Sequence, residues 1–150
     1  MNGISHAADT HELVRSLADF RFALRSFLHF SERASLSAGL HPQQHQLLLQ
    51  VAGVADGTPV TIAYAAARLG LKHNSTVELV DRSEREGLLV RVNDEEDRRR
   101  AILRVTGKGR RVLTKLSADH ARELNEMAPR LVKVLKQVRS HAHLEAEAES

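Results

Sequence analysis

The chain has 150 residues, 42% of them hydrophobic and only 3% aromatic, with nine histidines and no cysteine. That is the size of one ordinary domain with enough aliphatic material for one core, and the absence of cysteine excludes disulfides, thiolate metal sites and thiol catalysis. The formal net charge of +3 does not single out nucleic acid, but its distribution is uneven: seven basic residues and no acidic one lie between Arg98 and Arg111, directly after Asp94, Glu95, Glu96 and Asp97.

Leu13, Leu17, Phe20, Leu24 and Phe27 alternate spacings of four and three, which predicts a helix from about Asp9 to Ser37 stopped by Gly39. It is longer than a small core needs, so part of its stripe is expected to face a partner chain. Pro42 opens a second helix with Leu47, Leu48, Val51 and Val54 on its apolar face, and the turn formers Asp56 to Pro59 close it. Two short helices follow, at about Ile62–Leu69 and Asn74–Glu86, terminated by Gly70 and Gly87; their spacing is that of a helix-turn-helix.

Leu88–Val92 and Arg100–Val105 read as strands of a hairpin with a charged tip. Thr106 is placed to cap a helix bearing Leu113, Leu116, Leu124 and Met127; Pro129 is expected to break it and start a last helix bearing Leu131, Leu135 and Val138. The tail beyond His141, with Glu145, Glu147 and Glu149, is expected to fray. No repeat or linker divides the chain. There is no cleavable leader pattern and no apolar run near the roughly 20 residues a bilayer span needs, so the expected setting is cytoplasmic without a membrane partner.

The order of elements implies a mainly α fold with a small β-hairpin wing, a winged helix-turn-helix flanked by terminal helices. The motifs make the resemblance specific. Leu40-His41-Pro42-Gln43-Gln44, Leu79-Val80-Asp81-Arg82, Glu84-Arg85-Glu86-Gly87-Leu88, Asp97-Arg98-Arg99 and Val105-Thr106-Gly107-Lys108-Gly109 resemble the MarR family of bacterial regulators. Ser83, where that family usually has leucine, and Ala65-Ala66-Ala67 depart from its pattern. The resemblance implies a single MarR-like domain: a DNA-binding lobe at about 42–106, and dimerisation helices at about 9–37 and 107–144. It also implies a homodimer on a pseudo-palindromic double-stranded DNA operator, acting as a ligand-responsive repressor.

A helix entering the major groove exposes its first turns to base edges. His73, Asn74, Ser75, Val77 and Glu78 are therefore the base-facing candidates, and Arg82, one turn on, suits the DNA backbone. Asn74 and Ser75 also suit the plainer role of helix caps. Arg99 matches the family's wing-tip arginine, Asp97 the acid that orients it, and Arg98 and Arg100 are placed for phosphate.

The family's small effectors, often aromatic and anionic, direct attention to Phe20, Arg21, Phe27 and Phe30, which at helical spacing also suit an ordinary core. His41 and His45 have the i, i+4 spacing of a metal pair but no companion carboxylate motif, so no metal or other cofactor is expected. His120 falls on an apolar face, as a hydrogen-bonded core or interface histidine would. Two competing readings are a winged helix used for protein contact and a metal-dependent enzyme. The charge of 98–111 argues against the first, and the lack of a phosphate loop, a nucleophile signature or a paired-histidine motif with its base argues against the second.

Overall fold

The structure, a computed structural model, describes residues 2–148, and their side chains from 7 to 143. Five helices and one hairpin follow in the order α1 (Asn2–Ser37), α2 (Pro42–Ala52), α3 (Ile62–Leu69), α4 (His73–Arg85), β1 (Leu89–Asn93), β2 (Ala101–Val105) and α5 (Gly107–Ala148). The chain divides into two compact units, Glu32–Asp119 and the paired ends Met1–Ser31 with His120–Ser150.

In the Glu32–Asp119 unit, Leu40, Leu47, Leu48, Ala65, Val80, Leu88, Leu89, Leu103 and Leu116 close a continuous aliphatic core. Local chemistry sets the boundaries. The His41 side chain accepts from the Gln43 backbone N–H while Gln44 returns a bond to the His41 N–H, a reciprocal cap on α2. Thr61 caps α3 through the Tyr64 N–H at 3.1 Å, and Gly70 ends it in the left-handed region at φ 65°. The hairpin is antiparallel, pairing Leu89 with Val105 and Asn93 with Ala101. The Leu103 N–H extends its pairing to the Val60 carbonyl at 2.8 Å. Thr106 caps α5 by accepting from the Gly109 N–H at 3.1 Å. A Cβ on Gly109 would collide with the Leu88 carbonyl oxygen, so only glycine lets α5 start this close to the wing's base.

Several boundaries differ from the sequence reading. The first helix begins at Asn2 rather than Asp9; Ala7 and Ala8 are strong helix formers, and no proline interrupts the segment. Val54 lies beyond the end of α2. Each strand starts one residue later than expected. Pro129 does not break the helix: α5 runs through it for 42 residues. Proline there removes only the bond to the Asn125 carbonyl, and Asn125, Ala128 and Pro129 are all exposed, so water can take that carbonyl. Packing on both sides, with Leu116 buried and Met127 half-buried before it and Leu131 half-buried and Val134 buried after it, offsets a cost of about 3 kcal/mol. The helix continues past His141 to Ala148; Glu149 lies outside the described residues.

In the unit of paired ends, α1 and α5 run antiparallel, since Ser31 meets His120 and Phe22 meets Arg130. Ser16, Ala23, Ser31 and Val134 are buried, whereas Val14, Leu17, Leu24, Leu124, Val132 and Leu135 are exposed. No helix among the described residues is long and apolar enough to cross a membrane.

Candidate nucleic-acid interface

The α4 helix presents two faces. Thr76, Leu79, Val80 and Ser83 are buried. Ser83 satisfies its hydroxyl on the Leu79 carbonyl at 2.8 Å, which makes a polar residue tolerable at a position with no exposure. The opposite face exposes Asn74, Ser75, Glu78 and Arg82, with His73 exposed at the first position and Val77 half-buried. The N-cap is Lys72, whose side chain makes no capping bond. Asn74 and Ser75 therefore lie within the first turn and are not its caps. Uncapped backbone N–H groups and the positive end of the helix are features that receive a phosphate oxygen.

The wing tip is built by two aspartates. Asp94 accepts from the Glu96 N–H at 3.0 Å and from the Arg100 guanidinium at 3.0 Å and 2.6 Å. The Glu96 N–H, aided by Arg100, holds the Asp94 carboxyl below the ordinary carboxylate range, although its burial acts the other way. Asp97 accepts from the Arg99 N–H at 3.0 Å, and its carboxylate lies 3.7 Å from the Arg99 guanidinium. Arg99 itself is 95% exposed. Of the three arginines at the tip, Arg98 and Arg99 project outward, and Arg100 is engaged in closing the turn.

Sequence reasoning missed the residue that ties helix to wing. Arg91, on β1, reaches Asp81 at 2.5 Å and Glu84 at 3.4 Å, and its backbone N–H donates to Glu84 at 2.9 Å. Opposite charges ten residues apart on adjoining elements were the available signal, but the partner choice depends on how strand and helix pack. The Arg91 side chain is 26% exposed and its partners Asp81 and Glu84 are 50% and 40% exposed, so the tie between wing and α4 rests on two charge-assisted contacts together with the backbone bond.

The remaining candidates fall elsewhere. The His41 ring caps α2 and the buried His45 meets Ser35 at 3.2 Å, so the two imidazoles are committed to different partners. In the unit of paired ends, Phe27 and Phe30 meet the His120 ring edge-on at 5.8 Å and 5.3 Å, and His120 is hydrogen-bonded to Ser31 at 2.8 Å. Phe20 is half-buried, while Arg21 is exposed, on the same side of α1 as Leu17 and Leu24 by helical spacing. His120 was read from the sequence as a hydrogen-bonded histidine on an apolar face; its aromatic neighbours were not.

Comparison with known proteins accords with this architecture. Residues 38–100 match the model of the MarR family. The chain is 30% identical over 115 residues to the uncharacterized HTH-type transcriptional regulator YkoM of Bacillus subtilis (strain 168), covering 73% of this chain and 71% of that one. The chain belongs to the MarR family. It is accordingly a DNA-binding transcriptional regulator. Among solved MarR-like structures, CouR from Rhodococcus jostii RHA1, bound to p-coumaroyl-CoA, is 28% identical with a TM-score of 0.63, covering 77% of this chain and 80% of its own. The MarR family transcription regulator SP03579, at 21% identity, shares the fold over 98% of this chain and 94% of its own with a TM-score of 0.72.

Proposed function

We propose that the protein is a ligand-responsive repressor that binds a pseudo-palindromic operator as a homodimer, reading bases with the first turns of α4 and the minor groove with its wing. The observation that carries this is the pairing of an uncapped helix start, exposing Asn74, Ser75 and Glu78, with a fully exposed Arg99 on a hairpin tied to the same helix by Arg91. In this reading His73, Asn74, Ser75, Val77 and Glu78 face base edges, and Asn74 and Glu78 discriminate by hydrogen bonding. Arg82 and Arg98 contact the backbone, while Arg99 enters the narrow minor groove with Asp97 steadying it. Arg100 acts through Asp94 by holding the tip in shape.

The exposed stripes Val14, Leu17, Leu24 on α1 and Leu124, Val132, Leu135 on α5 are what a second copy would cover, since an apolar surface of that extent is costly in water. Effector binding near Phe20, Arg21, Phe27 and Phe30 would act by favouring one spacing of the two winged lobes over another. A small aromatic or anionic effector would match the aromatic rings and the exposed Arg21 there, and CouR, bound to p-coumaroyl-CoA, offers a precedent for an aromatic acyl ligand.

Fluorescence anisotropy with the DNA upstream of the protein's own gene, against a scrambled duplex of equal length, tests the reading. The expected result is a salt-dependent preference of about a thousandfold or more for the former; equal affinity for both duplexes would refute it. Site selection with Asn74→Ala and Glu78→Ala together should relax the consensus in each half-site. An unchanged consensus would mean that another face of α4 meets the bases.

A further inference from the structure

The unit of paired ends holds a second feature, a groove of about 470 Å³ between the N-terminal half of α1 and the C-terminal half of α5. Its size falls within the range of small-molecule sites. Ser16 and Val134, both nearly inaccessible, form its floor. Its walls carry Arg15 with Glu12 and Asp19 from α1, and Arg130 with Lys133 from α5. Among the described residues none of these five charges is held in an ion pair. Arg130 lies over the exposed Phe22 ring at 5.3 Å, which holds its guanidinium at the groove's edge.

Helical geometry separates this groove from the apolar stripes. With about 100° of rotation per residue, Leu17 and Leu24 lie roughly a quarter-turn to one side of Ser16, and Arg15 and Asp19 lie to the other. The same offsets recur on α5, where Leu135 and Leu124 lie to one side of Val134, and Arg130 and Lys133 to the other. Because the two helices are antiparallel, equal rotations put Leu17, Leu24, Leu124 and Leu135 on one side of the pair and all five charges on the other. A second copy seated on the stripes leaves the groove open.

We propose that this groove binds a small organic acid carrying two carboxylates and one ammonium group, the charge pattern of an acidic amino acid. Three cations drawn from both walls can receive two carboxylates, the arginines in bidentate fashion, while Glu12 and Asp19 receive the ammonium. The Gln137 side chain supplies a neutral hydrogen-bonding partner at the same wall as Lys133. The net charge of the ligand, one negative, complements the one positive charge left over in the groove.

Isothermal titration of the full chain at low salt, with L-glutamate as probe, tests the assignment. Saturable binding is expected in the wild type. Arg130→Gln with Lys133→Gln should weaken it by at least about tenfold, while Arg25→Gln, outside the groove, leaves it unchanged. Succinate, which lacks the ammonium, should bind about tenfold more weakly than L-glutamate. Absence of saturable binding, equal affinity for succinate or for putrescine, or an unaffected double variant with native circular dichroism would each overturn the proposal. None of these outcomes depends on whether α4 reads DNA.

Discussion

Leu47, Leu48 and Leu89 of the Glu32–Asp119 unit have no exposure at all, whereas Leu17, Leu24, Leu124 and Leu135 of the paired ends retain between 37% and 48%. The first unit closes its core within one chain. The second leaves Val14, Leu17, Phe22, Leu24, Leu28, Leu124, Val132 and Leu135 exposed among the described residues. Stability and assembly are thereby assigned to different leucines, and substitutions should separate them.

The largest effect is expected in the closed core. Leu48→Ala leaves a cavity where the surroundings cannot collapse, and it should cost about 2–5 kcal/mol in urea unfolding. A cost below about 1 kcal/mol would mean that the core is looser than its burial indicates. Next comes the opposite experiment on the paired ends. Leu17→Glu with Leu24→Glu should leave the helical circular dichroism intact in dilute solution while halving the sedimenting mass and removing the dependence of Tm on protein concentration. An unmodified protein that sediments as a folded monomer would abolish the contrast.

Smaller changes probe the connection of wing to helix. Arg91→Ala removes two ion pairs, to Asp81 and Glu84, and keeps the backbone N–H bond to Glu84; it should cost about 1 kcal/mol in stability and about fivefold in operator affinity. Affinity at wild-type level would show that the wing holds its position without Arg91. Arg99→Ala removes a side chain that packs against almost nothing, so the fold should be unaffected. The slope of log affinity against log salt should become shallower by about two counterions per dimer, and an unchanged slope would make the tip a solvated loop.

The smallest response concerns pH. Asp94 has a lowered pKa in the folded chain, so its contribution is present above the ordinary aspartate value of about 3.9 and is lost only as pH falls through the lowered one. The Glu96 amide resonance should accordingly hold still between about pH 5 and 8. Movement within that window would place the carboxylate outside the hydrogen bond described for it.

What the sequence determined by itself is what short-range sterics and hydrogen bonding control. Gly70 ends α3 because a left-handed residue acts where it stands, and Thr106 caps α5 within a few positions of its own. The outward face of α4 was legible through the 3.6-residue period, and the wing through its β-branched strands and charged tip. Only the tertiary structure decided that α5 continues through Pro129, since a local cost of helix interruption is weighed against burial of residues on both sides. It also decided that Arg91 joins Asp81 and Glu84, that Arg100 serves Asp94, and that His120 meets Ser31, 89 positions earlier. Each of these pairings follows from where separately formed elements come to rest, a matter of packing that residue spacing along one element does not encode.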